Sequence, residues 1–171
     1  DGIVFDVGHQ IYAHKLITGR DEVFDTLRTF NGISGFPKRE ESIYDSFGTG
    51  HSSTSISAAM GMAVANQLAH KNNHFIAVIG DASIVGGMAF EALNHIAETK
   101  ANVIVVLNDN NMGIDPSTGS LKQYLNQIED LNHPNFFESL GLAYTGVVDG
   151  HNLEDLITAF QDAKSKKGPQ L

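Results

Sequence analysis

Two short apolar runs separated by one amphipathic helix constrain this chain more than anything else in it. Phe75-Ile76-Ala77-Val78-Ile79 and Val103-Ile104-Val105-Val106-Leu107 are rich in β-branched residues. Bounded runs of that kind read as strands buried on both faces of a parallel sheet. Between them, residues 86–99 repeat apolar side chains at helical spacing, with Met88, Ala89, Ala92, Leu93 and Ile96 on one face. Strand, crossover helix and strand together make a parallel pair. Gly80-Asp81-Ala82-Ser83 and Asn108-Asp109-Asn110-Asn111 then leave the carboxyl ends of the two strands, where open parallel sheets bind ligands.

The rest of the chain keeps the alternation. Ile3-Val4-Phe5 reads as a strand, followed by a turn at 8–10 and a short helix to residue 16 or 17. The pattern predicts a helix over 21–30 with Val23, Leu27 and Phe30 on one side, then loop over 31–46. Residues 54–70 form a strong helical pattern with Ile56, Ala59, Met60, Ala63, Val64 and Leu68 inward. After an irregular stretch at 113–119, residues 143–148 read as a strand. Asn152 then caps a last helix with Leu153, Leu156, Ile157 and Phe160 inward. The expectation is one α/β domain, doubly wound, with a mainly parallel sheet and helices on both faces.

Composition narrows the function classes. The 171 residues are enough for one sizeable core. Without cysteine there is no disulfide framework, thiolate metal site or Cys nucleophile. A net charge of −9 with no basic tract argues against nucleic acid or an anionic membrane as the main partner. No apolar run approaches a membrane span, and no signal peptide is visible. The chain opens on Asp1 rather than Met, which leaves room for a segment removed upstream.

Four places can carry chemistry. Asp81 and Asn110 stand at two strand tips, and a carboxylate beside a carboxamide suits a hard divalent cation and the phosphates it carries. Ordinary turn chemistry also explains both residues. In Phe47-Gly48-Thr49-Gly50-His51-Ser52-Ser53-Thr54-Ser55 two glycines and a row of hydroxyls lead into a helix, a setting for an anion. A helix N-cap would need only one of those hydroxyls. In Asp6-Val7-Gly8-His9-Gln10, His9 can carry a proton, contact a ligand, or simply pack under a turn. Gly146-Val147-Val148-Asp149-Gly150-His151 reads as a plain turn. The other histidines lack metal-ligand spacing as a set.

Taken together, these segments resemble the thiamine-diphosphate-binding domain of the 1-deoxy-D-xylulose-5-phosphate synthases, which are related to transketolase. The likeness is carried by Asp6-Val7-Gly8-His9-Gln10, His14-Lys15-Leu16-Ile17-Thr18-Gly19-Arg20 and Ser34-Gly35-Phe36-Pro37-Lys38. It continues through Gly50-His51-Ser52-Ser53-Thr54-Ser55-Ile56-Ser57, Gly87-Met88-Ala89-Phe90-Glu91-Ala92-Leu93-Asn94-His95, Leu107-Asn108-Asp109-Asn110 and Val148-Asp149-Gly150-His151. It spans nearly the whole chain, residues 1–171. The thiamine-diphosphate motif is shared by many enzymes; the segments at His9, at Gly19-Arg20 and at 50–57 are what set the synthases apart.

The resemblance implies roles for matching positions. Asp81 and the Asn110 side chain would ligate Mg²⁺, with the backbone carbonyl of Met112 as a third ligand. Gly50, His51 and Ser52 would line the diphosphate arm of thiamine diphosphate, and the N–H groups of Ala82 and Ser83 would meet its phosphates. His9 would sit near the thiazolium and the substrate. The implied reaction joins pyruvate to glyceraldehyde 3-phosphate with loss of CO₂, giving an isoprenoid precursor. The implied enzyme is a homodimer, cytoplasmic in a bacterium or plastidic in a plant, with no nucleic-acid or membrane partner. A transketolase-like enzyme on other sugar phosphates and a non-catalytic diphosphate-binding or packing module are the alternatives.

Three departures stand out. Ala82 replaces the second glycine of the usual Gly-Asp-Gly, a penalty on the order of 1 kcal/mol if that position needs positive φ. The family carries a longer stretch between Gly119-Ser120-Leu121 and Asn135-Phe136-Phe137, so residues numbered consecutively between Gln127 and Asn135 are expected not all to be neighbours in the natural chain. The family's pyrimidine-binding domain with its activating glutamate, its C-terminal domain and an upstream active-site histidine have no counterpart in these 171 residues. By itself the chain is expected to be inactive.

Overall fold

At the centre lies a parallel sheet in the order β1-β2-β3, formed by Gly2–Phe5, Phe75–Gly80 and Val103–Asn108. The structure, a computed structural model, describes residues 1–110, 119–128 and 134–171. In chain order the α-helices are α1 (Tyr12–Lys15), α2 (Ser55–Leu68), α3 (Asp81–Ile84), α4 (Gly87–Thr99), α5 (Ser120–Leu125), α6 (Phe136–Ser139) and α7 (Leu153–Ser165). Register pairs Val4 with Ala77 and Ala77 with Val105. Alternate residues of a strand face opposite ways, so these three share one face. They are buried in one cluster with Ile56, Ala59 and Ala63 of α2 and Ala89, Leu93 and Ile96 of α4. Phe5, one position on, faces the other way, and its ring meets His14 at the end of α1 with centroids 5.1 Å apart. Helical segments therefore cover both faces, as the doubly wound pattern predicts.

The sheet extends beyond β3. The Val105 N–H donates to the Gln170 carbonyl at 2.8 Å, and the Gln170 N–H donates to Val103 at 2.9 Å. Ala143 and Thr145 in turn donate to Pro169 and Leu171. The strand expected over 143–148 thus pairs only as far as Thr145. Beyond it Gly146 turns into φ 106, which ends the ladder.

Three helix expectations need correction. The apolar stripes are narrower than the periodicity implied: Met88, Leu68 and Leu153 are exposed. All three sit in terminal turns of their helices. Ile157 of α7 is exposed as well, and that helix buries only Ala163 fully, with Leu156 and Phe160 half-buried. The helix expected over 21–30 is a single 3-10 turn at Phe24–Thr26. Arg28 adopts φ 62 and its N–H donates to the Ile33 carbonyl, closing a loop there instead. Phe30, expected inward, is 94% exposed: without a packing surface, amphipathic spacing does not hold a helix.

Residues 14–45 carry no strand and are held by charge. Arg20 grips Asp45 with both Nη atoms, at 2.8 and 2.9 Å. Lys15, with no exposed surface, donates to Glu41 at 2.6 Å, and Glu41 also accepts the Ser34 N–H. His14 Nε2 lies 3.2 Å from Asp45, and the Lys38 N–H donates to the same carboxylate at 2.9 Å. Burial pushes the Asp45 carboxyl up, but the Arg20 and Lys38 hydrogen bonds and the charges of Arg20 and His14 outweigh it and hold the group below its usual value. Gly8 fixes this strap against the sheet. A Cβ there would lie 2.2 Å from the Gly35 carbonyl oxygen, so only glycine lets the two backbones approach.

Candidate functional site

Because the strands are parallel, the tips of β1, β2 and β3 open at one edge. Asp6 follows β1 and is fully buried, accepting the N–H groups of Ser53 (2.6 Å) and Ser55 (3.0 Å). That carboxylate pins the first turn of α2. Ser53 is left-handed at φ 71, and its hydroxyl donates to the Ser83 carbonyl at 2.7 Å. Thr49 donates to the Phe5 carbonyl at 2.9 Å. The amide of Gln10, oriented with its nitrogen on the Val78 carbonyl and its oxygen on the Gly80 N–H, bridges the first two tips. The 49–55 loop is thereby laid across the tips of β1 and β2, with Gly50, His51 and Ser52 exposed along it.

Asp81 opens α3 directly after β2, with 4% of its side chain exposed. Ala82 follows inside that helical turn, not at positive φ, and is exposed. The strain expected from replacing a glycine is therefore absent, and the Ala82 and Ser83 N–H groups stand in the first turn of a short helix. Past β3, Asp109 and Asn110 are exposed at the neighbouring tip. The register sets Gly80 opposite Asn108, so Asp81 and Asp109 extend adjacent positions.

One ammonium joins them. Lys122 Nζ lies 3.0 and 3.3 Å from the Asp109 carboxylate oxygens and 3.7 Å from Asp81 Oδ2. The two tips thus share this cation. Among the described residues no three His, Cys, Asp or Glu side chains converge. Among the described residues a metal here would draw on two carboxylates at most, with amide, carbonyl and ligand oxygens completing its shell, a donor set that suits Mg²⁺.

His9 is exposed on the 3-10 turn Gly8–Ile11 that follows the β1 tip, on the same edge. His151 belongs to the turn before α7, where its N–H donates to Asp149, as read from the sequence. Met112 lies outside the described residues, as does most of the 127–135 connector whose continuity was in question. Sequence reasoning missed Asp6 as an anchor, although its place after a strand matched that of Asp81. It also missed Asp109 and Lys122 as a pair; nothing local in the sequence marks an interaction across 13 residues.

A family model described as 1-deoxy-D-xylulose-5-phosphate synthase matches residues 1–135 and 126–171. The chain belongs to that synthase family. Synthases of this name from Cytophaga hutchinsonii and Clostridium acetobutylicum are each 47% identical to it, covering 100% and 99% of the chain but 33% of their own length. The chain therefore spans about a third of these relatives. The Cytophaga alignment runs over 211 positions against 171 residues here, so at least 40 positions of that synthase have no counterpart. The two stretches matched by the family model meet at 126–135, where the longer family segment was expected. Transketolases from Campylobacter jejuni and Leishmania mexicana share the fold, with TM-scores of 0.81 and 0.76. They cover 100% and 99% of this chain and 28% and 27% of theirs, at 22% and 23% identity. The synthase likeness is about twice as high in identity, so the transketolase-like alternative is not favoured.

Proposed function

We propose that this chain is the thiamine-diphosphate- and Mg²⁺-binding domain of a 1-deoxy-D-xylulose-5-phosphate synthase. The whole protein would condense pyruvate with glyceraldehyde 3-phosphate and release CO₂. The observation that carries the reading is the cation held jointly by Asp81 and Asp109 at adjacent strand tips. That pair is already arranged for positive charge, and the N–H groups of the adjoining helical turn suit the phosphate oxygens that a divalent ion carries. The Mg²⁺ ligands on this reading are Asp81, the Asn110 side chain and the Met112 carbonyl.

Thiamine diphosphate, when bound, supplies the decarboxylation and the carbon–carbon bond formation. The chain's own residues bind and orient it. Gly50, His51 and Ser52 line the diphosphate arm, on a loop whose position is set by Asp6 and Ser53. The Ala82 and Ser83 N–H groups donate to phosphate oxygens. His9, exposed at the β1 tip, faces the reacting groups and handles their protons. The pyrimidine-binding and C-terminal domains belong to the remaining two thirds of the relatives' length, and the working enzyme is a homodimer.

Incubating the full-length protein with pyruvate, glyceraldehyde 3-phosphate, thiamine diphosphate and Mg²⁺ tests this. The expected product is 1-deoxy-D-xylulose 5-phosphate, with none formed by the 171-residue chain alone. Tight cofactor binding without that product, or with sugar-phosphate exchange instead, would refute the synthase assignment.

A further inference from the structure

We propose that Lys122 is the built-in counter-ion of the Asp81–Asp109 pair and competes with the divalent cation for Asp81. The inference rests on the metal reading above and adds how that site is filled and emptied.

Three observations carry it. The ammonium touches both tips, at 3.0 Å from Asp109 and 3.7 Å from Asp81. Two of the three members are well shielded: the Lys122 side chain is 13% exposed and that of Asp81 4%, against 28% for Asp109. Its helix is fixed independently of the tips, because Leu121, Tyr124 and Leu125 of α5 pack on the core and the Tyr124 hydroxyl accepts the Phe136 N–H. The charge can therefore leave by rotation of its four-carbon stem while α5 stays in place.

Electrostatics then forces a choice. With no positive charge present, carboxylates on adjacent tips repel each other. A divalent ion bound to Asp81 at about 2.1 Å would lie within a few ångströms of the ammonium, and like charges that close are strongly unfavourable. The two cations exclude each other. Lys122 thus stabilises the metal-free edge and weakens metal binding while no diphosphate is bound.

The test is Mn²⁺ binding to the full-length protein, stripped of metal and cofactor and followed by electron paramagnetic resonance. Lys122→Gln is expected to bind Mn²⁺ about three- to tenfold tighter than the wild type, the range a partly buried ion pair supports. Lys122→Arg should stay near the wild type. In EDTA, Lys122→Gln should melt below the wild type, and saturating Mn²⁺ should close that gap; a merely structural lysine would leave the same deficit in both. Asp81→Ala separates the two claims. If it loses Mn²⁺ binding while Lys122→Gln binds no tighter than the wild type, the counter-ion proposal is overturned and the metal site stands. If it binds Mn²⁺ normally, the metal site itself is misplaced and the proposal falls with it.

Discussion

Residues 75–108 bury Ala77, Ile79, Val103 and Val105, with Asp81 and Ser83, both just past the β2 tip, as their only buried polar residues. Residues 14–45 bury Lys15, Arg20 and Asp45, with Pro37 as their only buried apolar side chain. Both stretches shape the same edge: one carries Asp81 there, and the other abuts Gly8, next to His9. They differ in how they tolerate damage. Apolar contacts are numerous and individually small, so the sheet half yields by degrees. The strap depends on a few buried charges, and removing one partner strands the others. Two of the segments that carry the family resemblance, His14 to Arg20 and Ser34 to Lys38, lie in the strap: the first supplies its cations, and the second gives backbone N–H groups to Glu41 and Asp45. Much of what marks this family in sequence is therefore scaffold for the site.

The largest expected effect is Asp45→Ala. It leaves Arg20, His14 and the Lys38 N–H without their shared acceptor, and should destabilise the strap by about 3–5 kcal/mol. Hydrogen exchange should rise at strap amides such as Arg28 and Glu41 while β2 and β3 keep their protection. Uniform loss across both halves would break the comparison.

Acid should act on the same residue. Asp45 is held below its ordinary value of 3.8 in the folded protein. Its stabilising contribution is therefore complete above about pH 4 and is lost as pH falls through the lower, folded value. Strap amides should lose protection in that window before sheet amides do. Asp45→Asn should abolish the pH dependence; its persistence in that variant would assign the acid sensitivity to another group.

A smaller effect is expected in the sheet. Ile79→Val should lower global stability by about 0.5–1.5 kcal/mol, seen as a shifted denaturation midpoint with an unchanged slope. A loss as large as that of Asp45→Ala would show that the core is no more forgiving than the strap. The smallest effect should come from Ala82→Gly. At an exposed helical position it costs about 1 kcal/mol or less, and cofactor affinity by titration should change little. A large loss of affinity would give the Ala82 methyl group a role that backbone binding does not explain.

The same contrast explains what could be read in advance. The β2–α4–β3 unit was legible because burial writes itself locally, as runs of β-branched residues and as Ala89, Ala92, Leu93 and Ile96 at helical spacing. The place of Asp81 at a strand tip was legible because it directly follows an apolar run that reads as a strand. The strap was not legible, since His14, Lys15 and Arg20 meet Glu41 and Asp45 across 25 to 31 residues and leave no period in the sequence. The false helix at 21–30 shows the converse: Val23, Leu27 and Phe30 have the right spacing, but Val23 and Phe30 are exposed and Leu27 is only half-buried. Lys122 was overlooked for the reason the strap was, a charge whose partners lie on other elements.

A crystal of the full-length protein grown with thiamine diphosphate and Mn²⁺, measured for anomalous scattering, tests the central claim most directly. The account predicts one peak at the tips of β2 and β3, within about 2.2 Å of an Asp81 carboxylate oxygen, with the diphosphate against the 49–55 loop and the Lys122 ammonium turned away. Cofactor bound with the metal elsewhere, or with Lys122 still bridging Asp81 and Asp109, would contradict it.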